Sequence, residues 1–145
     1  MSLEKILVVD DSRFILTALQ LKLQSQGYQV ITAEDGGEAS LAVRKERPDL
    51  ILLDINFPPD VAHGGGVPWD GFLIFDWVRR MDEGRHVPVI IITGEKKEAL
   101  AAKLEGREIA AVFTKPIDNS ELLSFIKTIF EQRATASKLP LEARA

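Results

Sequence analysis

Acidic, hydroxyl and amine side chains follow four of the short apolar runs in the sequence. Asp10 and Asp11 come directly after the first run, Asp54 after the third, Thr93 after the fourth and Lys115 shortly after the fifth. Mg²⁺ prefers oxygen ligands and usually takes one or two carboxylates together with phosphate oxygens. An aspartate can be the nucleophile that forms an aspartyl phosphate, and a lysine and a hydroxyl stabilise a phosphoryl group in transfer. These residue types therefore indicate magnesium-dependent phosphoryl chemistry.

Five short runs rich in Val, Ile and Leu must bring these side chains together. They predict strands at Lys5–Val9, Gln29–Thr32, Leu50–Leu53, Val89–Ile92 and Ala110–Phe113. Runs of this kind are typical of strands that are buried on both faces of a parallel sheet. Ligands of such sheets bind where the carboxyl ends of the strands meet. We therefore expect the polar residues to converge at that edge, although a single aspartate there is more often only a helix cap.

Longer amphipathic segments alternate with the strands. They predict helices at Ser12–Gln26, Gly37–Glu46, Gly71–Met81, Lys96–Glu105 and Asn119–Gln132. In the first helix the apolar residues at helical spacing are Phe14, Ala18 and Leu21, with Ile15 and Leu19. In the last helix the predicted buried stripe is Leu122, Phe125, Ile126 and Ile129. Five strand–helix units in a row favour an α/β fold with right-handed crossovers.

Length and composition exclude several classes of protein. A chain of 145 residues with 46% hydrophobic and 28% charged residues is an ordinary globular domain. There is no cysteine, which excludes disulfides, zinc–thiolate sites and a cysteine nucleophile, and is compatible with a reducing cytoplasm. A net charge of −4 argues against nucleic acid as a partner. The apolar runs are too short to span a membrane, and the N-terminus is not a signal peptide.

The polar residues in this order resemble the receiver domain of two-component response regulators. The resemblance rests on the Asp10-Asp11 pair, Asp54, Thr93 and the Lys115-Pro116 dipeptide, and it extends over Lys5–Phe130. It implies a flavodoxin-like, doubly wound sheet of five parallel strands in the order 2-1-3-4-5, with five helices. It also implies a cytoplasmic protein that catalyses only its own phosphorylation and dephosphorylation.

Roles for individual residues follow from the resemblance. Asp54 would accept a phosphoryl group from a sensor histidine kinase, a phosphotransfer protein or a small phosphodonor. Mg²⁺ would be bound by Asp10 (directly or through water), Asp11, Asp54 and the backbone carbonyl of Asn56. Lys115 and Thr93 would contact phosphoryl oxygens.

The resemblance also implies consequences of phosphorylation. Asn56 and Glu95 resemble the pair found in chemotaxis-type receivers, which implies a short-lived aspartyl phosphate. The output would be a changed surface on the fourth helix, fifth strand and fifth helix. The resemblance is also compatible with a homodimer that forms on phosphorylation. No nucleic acid or membrane is implied as a partner of this chain.

The sequence departs from the family pattern in two places. Residues 57–69 form a Pro/Gly-rich insertion after the acceptor, which is either a lid or docking loop or a tolerated surface loop; its His63 is an isolated loop histidine. Val112 stands where the family usually has an aromatic switch residue, and the neighbouring Phe113 is predicted to be core.

The extent of the resemblance predicts a receiver domain over residues 1–131. Residues 132–145 are predicted to be a tail or linker.

Two other functions remain open from the residues alone. A Mg²⁺-dependent phosphohydrolase would also form an aspartyl phosphate, but such enzymes typically carry a second acid two residues after the nucleophile. That position holds Asn56 after Asp54 and Ser12 after Asp10. A nucleotide-binding fold would require a glycine-rich phosphate loop after the first strand, which the sequence lacks.

Overall fold

The computed structural model describes residues 3–55 and 71–138, with side chains described up to residue 134. Its strands are β1 (Lys5–Val9), β2 (Gln29–Ala33), β3 (Leu50–Asp54), β4 (Val89–Thr93) and β5 (Ala111–Thr114). Its helices are α1 (Arg13–Ser25), α2 (Gly36–Glu46), α3 (Gly71–Arg80), α4 (Ala101–Leu104) and α5 (Asn119–Lys138). The chain divides into two units at Lys115 and Pro116, so that the whole sheet belongs to the first unit and α5 to the second.

The strands form one parallel sheet in the order β2-β1-β3-β4-β5. This order and the five strands confirm the predicted fold. All residues of the two central strands β3 and β4 are buried, as their continuous apolar sequences predict. Each predicted strand agrees with the structure to within one residue at either end, and the polar residues Asp54 and Thr93 are themselves the last residues of β3 and β4.

Helices α2 and α3 pack on the same face of the sheet. One apolar cluster joins side chains of β1 and β3 to Ala39 and Val43 of α2 and to Phe75 and Val78 of α3. The start of α3 passes so close to the end of β3 that a Cβ atom at Gly71 would overlap the backbone of Ile55. A glycine is therefore required at this position, because any larger residue would push the start of α3 away from the carboxyl end of β3.

The predicted apolar face of α1 is wrong in three of its residues. Ser12 caps the helix, with its Oγ accepting a hydrogen bond from the Ile15 backbone N–H. The buried residues are Leu16, Leu19 and Leu23, whereas the side chains of Phe14, Ala18 and Leu21 are exposed. The helix carries two apolar stripes, and helical spacing alone does not indicate which stripe faces the sheet.

The predicted helix at Lys96–Glu105 is also wrong as a single element. The structure has a 3₁₀ turn at Lys97–Leu100 that continues into the four-residue α4. Leu100 is the only buried residue of the two pieces. Because most helical stability in proteins comes from packing an apolar face, a segment with so few large apolar residues forms only short helical turns.

Helix α5 begins as predicted and ends later. The Asp118 carboxylate accepts a hydrogen bond from the Glu121 backbone N–H and so caps the start of the helix. Leu122 and Ile126 are buried as predicted, Phe130 is buried in addition, and Phe125 and Ile129 are half-buried. The helix continues past the predicted end at Gln132 to Lys138. Within the described ranges, no helix has the length and apolar character needed to cross a membrane.

Candidate functional site

The parallel topology brings the predicted residues to one edge of the sheet. Asp10 follows β1, Asp54 ends β3, Thr93 ends β4 and Lys115 follows β5. Asp54 is in register with Ile92 on β4, and Thr93 is in register with Thr114 on β5. The four positions therefore lie on successive neighbouring strands at the carboxyl edge, where an open α/β sheet binds its ligands.

Three carboxylates gather at this edge. One ligand oxygen from each of Asp10, Asp11 and Asp54 lies within 4.8 Å of the others. Asp10 and Asp54 are each 2% exposed, whereas Asp11 is exposed. Two buried carboxylates and one that faces solvent suit a hard divalent cation that keeps part of its hydration, as Mg²⁺ does. The donor set therefore fits this ion.

Among the described residues, Lys115 is the positively charged side chain that lies next to these carboxylates. Its Nζ lies 2.9 Å from Oδ2 of Asp54 and 4.0 Å from Oδ2 of Asp10. Burial lowers the pKa of Lys115, but the hydrogen bond and charge of Asp54, together with the charges of Asp10 and Asp11, outweigh burial and raise that pKa. Lys115 therefore stays positively charged at physiological pH.

Asp10 has the most perturbed carboxyl group of the site. Burial raises its pKa to about 7, against the lowering effect of the Ser12 N–H hydrogen bond. The neighbouring Asp54 raises the pKa further, and the charge of Lys115 opposes it. Without a second cation, a proton on Asp10 thus relieves the repulsion between the two buried carboxylates near neutral pH.

Thr93 is fully buried and its hydroxyl is held in place. The Thr93 Oγ1 accepts a hydrogen bond of 2.9 Å from the backbone N–H of Glu95, whose side chain is exposed. The carbonyl of Thr93 accepts a 2.7 Å hydrogen bond from the backbone N–H of Lys115, which ties the two residues together. Because the hydroxyl oxygen is used as an acceptor here, its own O–H is directed elsewhere and is available as a donor.

Ser12 also contributes to the site, although the sequence predicted no role for it there. Its backbone N–H donates a 2.8 Å hydrogen bond to Oδ1 of Asp10. An aspartate that accepts from the N–H two residues later is a common turn, so the signal was present as an Asp–x–Ser sequence before a helix. The bond fixes the orientation of the Asp10 carboxylate.

Some of the predicted features fall outside the described residues, whereas the structure does describe the predicted switch position and its neighbour. Asn56, the insertion 57–69 and its His63 lie outside the described residues. Val112 is half-buried and packs against the main apolar cluster, and Phe113 is half-buried beside it in register with Ile92.

The model of one protein family, the response regulator receiver domain, matches residues 6–127. The chain belongs to this family. Transcriptional regulatory protein GlrR of Escherichia coli K12 is 34% identical to this receiver domain over 134 residues, which are 91% of this chain and 27% of that protein. The chain spans about a quarter to a half of the length of the first curated relatives that it matches.

Solved receiver structures have the same fold. The chemotaxis response regulator CheY4 of Vibrio cholerae aligns with a TM-score of 0.75 at 29% identity, over 88% of this chain and 99% of that one. The receiver domain of sensor histidine kinase PA1611 from Pseudomonas aeruginosa PAO1 aligns with a TM-score of 0.73 at 25% identity, over 88% and 97% of the two chains. That structure has a magnesium ion coordinated in its active site cleft.

Proposed function

We propose that this receiver domain is phosphorylated on Asp54 by a sensor histidine kinase, a phosphotransfer protein or a small phosphodonor. One observation carries the proposal: the buried Asp54 carboxylate lies 2.9 Å from the Lys115 amine and within 4.8 Å of the Asp10 and Asp11 carboxylates. A nucleophile surrounded by a fixed cation and potential metal ligands is the arrangement that phosphoryl transfer requires.

The step is a displacement at phosphorus. A carboxylate oxygen of Asp54 forms the new bond to phosphorus, and the bond from phosphorus to the donor's imidazole nitrogen or acyl oxygen breaks. The leaving group keeps the electron pair. The Asp54 carboxylate already carries the attacking lone pair, so no residue has to remove a proton from it.

Lys115 and Thr93 stabilise the phosphorylated form. Transfer moves negative charge outward from the Asp54 carboxylate to the phosphoryl oxygens. The Lys115 amine, already 2.9 Å from that carboxylate, is placed to pair with one of these oxygens. The Thr93 hydroxyl, at the end of the neighbouring strand, is placed to donate a hydrogen bond to another once the loop after β4 adjusts.

The carboxylate cluster is proposed as a magnesium site. Asp10, Asp11 and Asp54 would hold Mg²⁺, with the backbone carbonyl of Asn56 as a further ligand by family resemblance, and Ser12 would keep Asp10 oriented through its N–H. When bound, the ion would supply the positive charge that lets a phosphoryl group approach three carboxylates. The magnesium-bound receiver of PA1611 supports this assignment.

The exposed face of α1 supports docking of a protein phosphodonor. The helix begins directly after Asp11, and its side chains Phe14 and Leu21 are 84% and 64% exposed. Phe14 lies in the first turn of α1, near the site, and Leu21 lies about two turns further along the helix. Two large apolar side chains on the solvent face of this helix suit a partner that presents a phosphohistidine to Asp54.

Phosphorylation would change the exposed surfaces of α4, β5 and α5. Leu100 is the only buried residue of the 3₁₀ turn and α4, and few buried apolar contacts give a segment low local stability. Such a segment can change its position when Thr93 and Lys115 change partners. The domain would occupy residues 1–131, and the output of any longer protein would follow the segment 132–145.

The first experiment is the intact mass of the protein after incubation with acetyl phosphate and Mg²⁺. We expect one labile phosphoryl adduct that requires the metal, is lost in Asp54→Asn, and decays quickly because Asn56 and Glu95 flank the site. Asp82→Asn is the matched control, since Asp82 is an exposed aspartate away from the cluster. An adduct that persists in Asp54→Asn, or metal-dependent turnover of the phosphodonor that is undiminished in Asp54→Asn, would contradict the proposal.

A further inference from the structure

An apolar groove of about 590 Å³ lies between α2 and α3, and none of the residues at the phosphorylation site line it. Its lining residues are Gly37, Ser40, Leu41 and Arg44 of α2 and Leu73, Trp77 and Arg80 of α3. Leu41, Leu73 and Trp77 are 55%, 38% and 45% exposed. Single exposed apolar residues are ordinary, but a contiguous set on two packed helices is typical of an interaction surface.

The groove face is separate from the faces that these helices bury. Leu41 and Arg44 of α2, like Trp77 and Arg80 of α3, are three residues apart and therefore share a helix face. The core contacts of the same helices come from other positions, including Val43 and Val78. The apolar side chains of the groove are therefore not needed for packing against the sheet.

The charge of the groove is concentrated at one end. Both helices connect parallel strands and run in the same direction, so that Arg44 and Arg80, in their last turns, lie at the same end. No acidic residue is among the described residues that line this groove. The groove on the other side of α2 differs, since Glu34, Glu38 and Glu46 line it. A basic end on an apolar groove is thus a local feature of a chain whose net charge is −4.

We propose that this groove docks an amphipathic, acidic helix of a partner protein. Apolar side chains of the partner would contact Leu41, Leu73 and Trp77, and its carboxylates would pair with Arg44 and Arg80. Helices of the length of α2 and α3 extend about 15 Å, which matches three turns of a helical ligand. A nucleic acid or an anionic membrane requires a larger basic cluster than the two arginines of this groove, so both are disfavoured as its occupant. The proposal does not depend on phosphorylation of Asp54.

A structural role for the arginines is the competing explanation. Basic residues in the last turn of a helix stabilise it by interacting with the helix dipole. That role predicts that replacing Arg44 changes stability and leaves any peptide binding unchanged. It also predicts that Lys45, the other basic residue of the last turn of α2, is equivalent to Arg44, although Lys45 lines the opposite groove.

The test is a selection from a displayed library of helical peptides of about 15 residues, or roughly four turns. Each peptide has leucines at helical spacing and Glu, Gln or Lys at the remaining positions. We expect the selection to enrich glutamate at one end of the peptide. The full chain carrying Trp69→Phe retains Trp77 as its one tryptophan, so a selected peptide that occupies the groove should shift the Trp77 emission.

Anisotropy of the labelled peptide then measures affinity for each variant. Arg44→Gln and Arg80→Gln should each weaken binding roughly fivefold, as expected of partly exposed ion pairs, and Trp77→Ala should weaken it at least as much. Lys45→Gln and Phe14→Ala are matched controls that should leave affinity unchanged. Circular dichroism and thermal unfolding of each variant show whether the fold is retained.

Four outcomes would overturn the proposal. They are a selection without enrichment of glutamate, equal affinity of the Arg44→Gln and Lys45→Gln variants, a Trp77 shift with anionic phospholipid vesicles but not with the selected peptides, and a Trp77 shift caused by raising the protein concentration alone. The third outcome would assign the groove to a membrane surface, and the fourth to a second copy of the chain.

Discussion

At the scale of single residues, Asp10 places a carboxyl group where the fold disfavours its charge. The side chain is 2% exposed, and it lies against Asp54. Its pKa is raised from 3.8 to about 7, mainly by burial. Between these two pH values the unfolded chain releases the Asp10 proton while the folded protein keeps it. Stability therefore falls as the pH rises through this interval, and the loss is complete above pH 7.

Replacing Asp10 with asparagine should therefore stabilise the metal-free protein at neutral pH. Asp10→Asn keeps an oxygen that can accept the Ser12 N–H hydrogen bond and removes the buried charge. We expect the free energy of unfolding at pH 7.5 in EDTA to rise by on the order of 1 to 3 kcal/mol. The measurement is urea unfolding at a series of pH values.

The pH dependence separates this effect from a change in packing. The difference between wild type and Asp10→Asn should disappear near pH 4, where the unfolded chain also begins to hold the proton. Asp82→Asn, at an exposed aspartate, serves as the control and should show no such dependence. A stabilisation by Asp10→Asn of equal size at both pH values would contradict the assignment.

At the scale of elements, Arg79 connects the end of α3 to the segments that lead into β4 and β5. Its guanidinium donates hydrogen bonds to the carbonyls of Gly84 (2.9 Å), Val87 (2.7 Å) and Glu108 (3.2 Å). It also lies 4.8 Å from the centre of the Phe75 ring. The planar group with several N–H donors satisfies three carbonyls at once, which a lysine ammonium on a flexible chain does less well.

Truncating Arg79 should destabilise the fold without touching the carboxylate site. Arg79→Ala leaves partly buried carbonyls without a partner and should lower the free energy of unfolding by about 2 to 3 kcal/mol. Arg79→Lys should recover part of this loss. The exposed neighbour provides the control, since Arg80→Ala should change stability by less than about 0.5 kcal/mol in the same denaturant titration. Equal effects of the two alanine substitutions would refute the role given to Arg79.

The sheet and most of the site were predictable from the sequence because both depend on short-range patterns. Buried parallel strands are continuous apolar runs, and the residue that ends each run necessarily lies at the same edge. This rule was sufficient to predict that Asp10, Asp54, Thr93 and Lys115 lie at one edge of the sheet. The role of Asn56 and of the insertion after it stays a prediction, since both lie outside the described residues.

The errors arose where packing decides between patterns that the sequence leaves equal. In α1 the residues Phe14 and Leu21 have the same helical spacing as the buried stripe, and only the position of the helix on the sheet selects Leu16, Leu19 and Leu23. Between β4 and β5 the amphipathic segment Lys96–Glu105 predicted a single, longer helix. The buried Leu100 and the partly buried Leu104 provide too few tertiary contacts to stabilise it.

At the scale of the whole molecule, an ion that binds the folded chain and not the unfolded chain must raise its stability. The three carboxylates come together only in the fold, since Asp10 follows β1 whereas Asp54 ends β3. At a free Mg²⁺ concentration ten times its dissociation constant, the gain is about 1.4 kcal/mol. For a chain of this size we expect a rise in the unfolding temperature of roughly 4 to 6 °C, measured by calorimetry at pH 7.5 against EDTA.

Two variants decide whether this stabilisation comes from the carboxylate cluster. Asp11→Asn removes the exposed ligand while leaving the buried pair, so the increase in unfolding temperature should be largely lost. Asp82→Asn removes an equal charge elsewhere on the surface and should respond to Mg²⁺ as the wild type does. Because a general effect of ionic strength would stabilise all three proteins alike, an undiminished response of Asp11→Asn would mean that the ion does not bind at the carboxyl edge of the sheet.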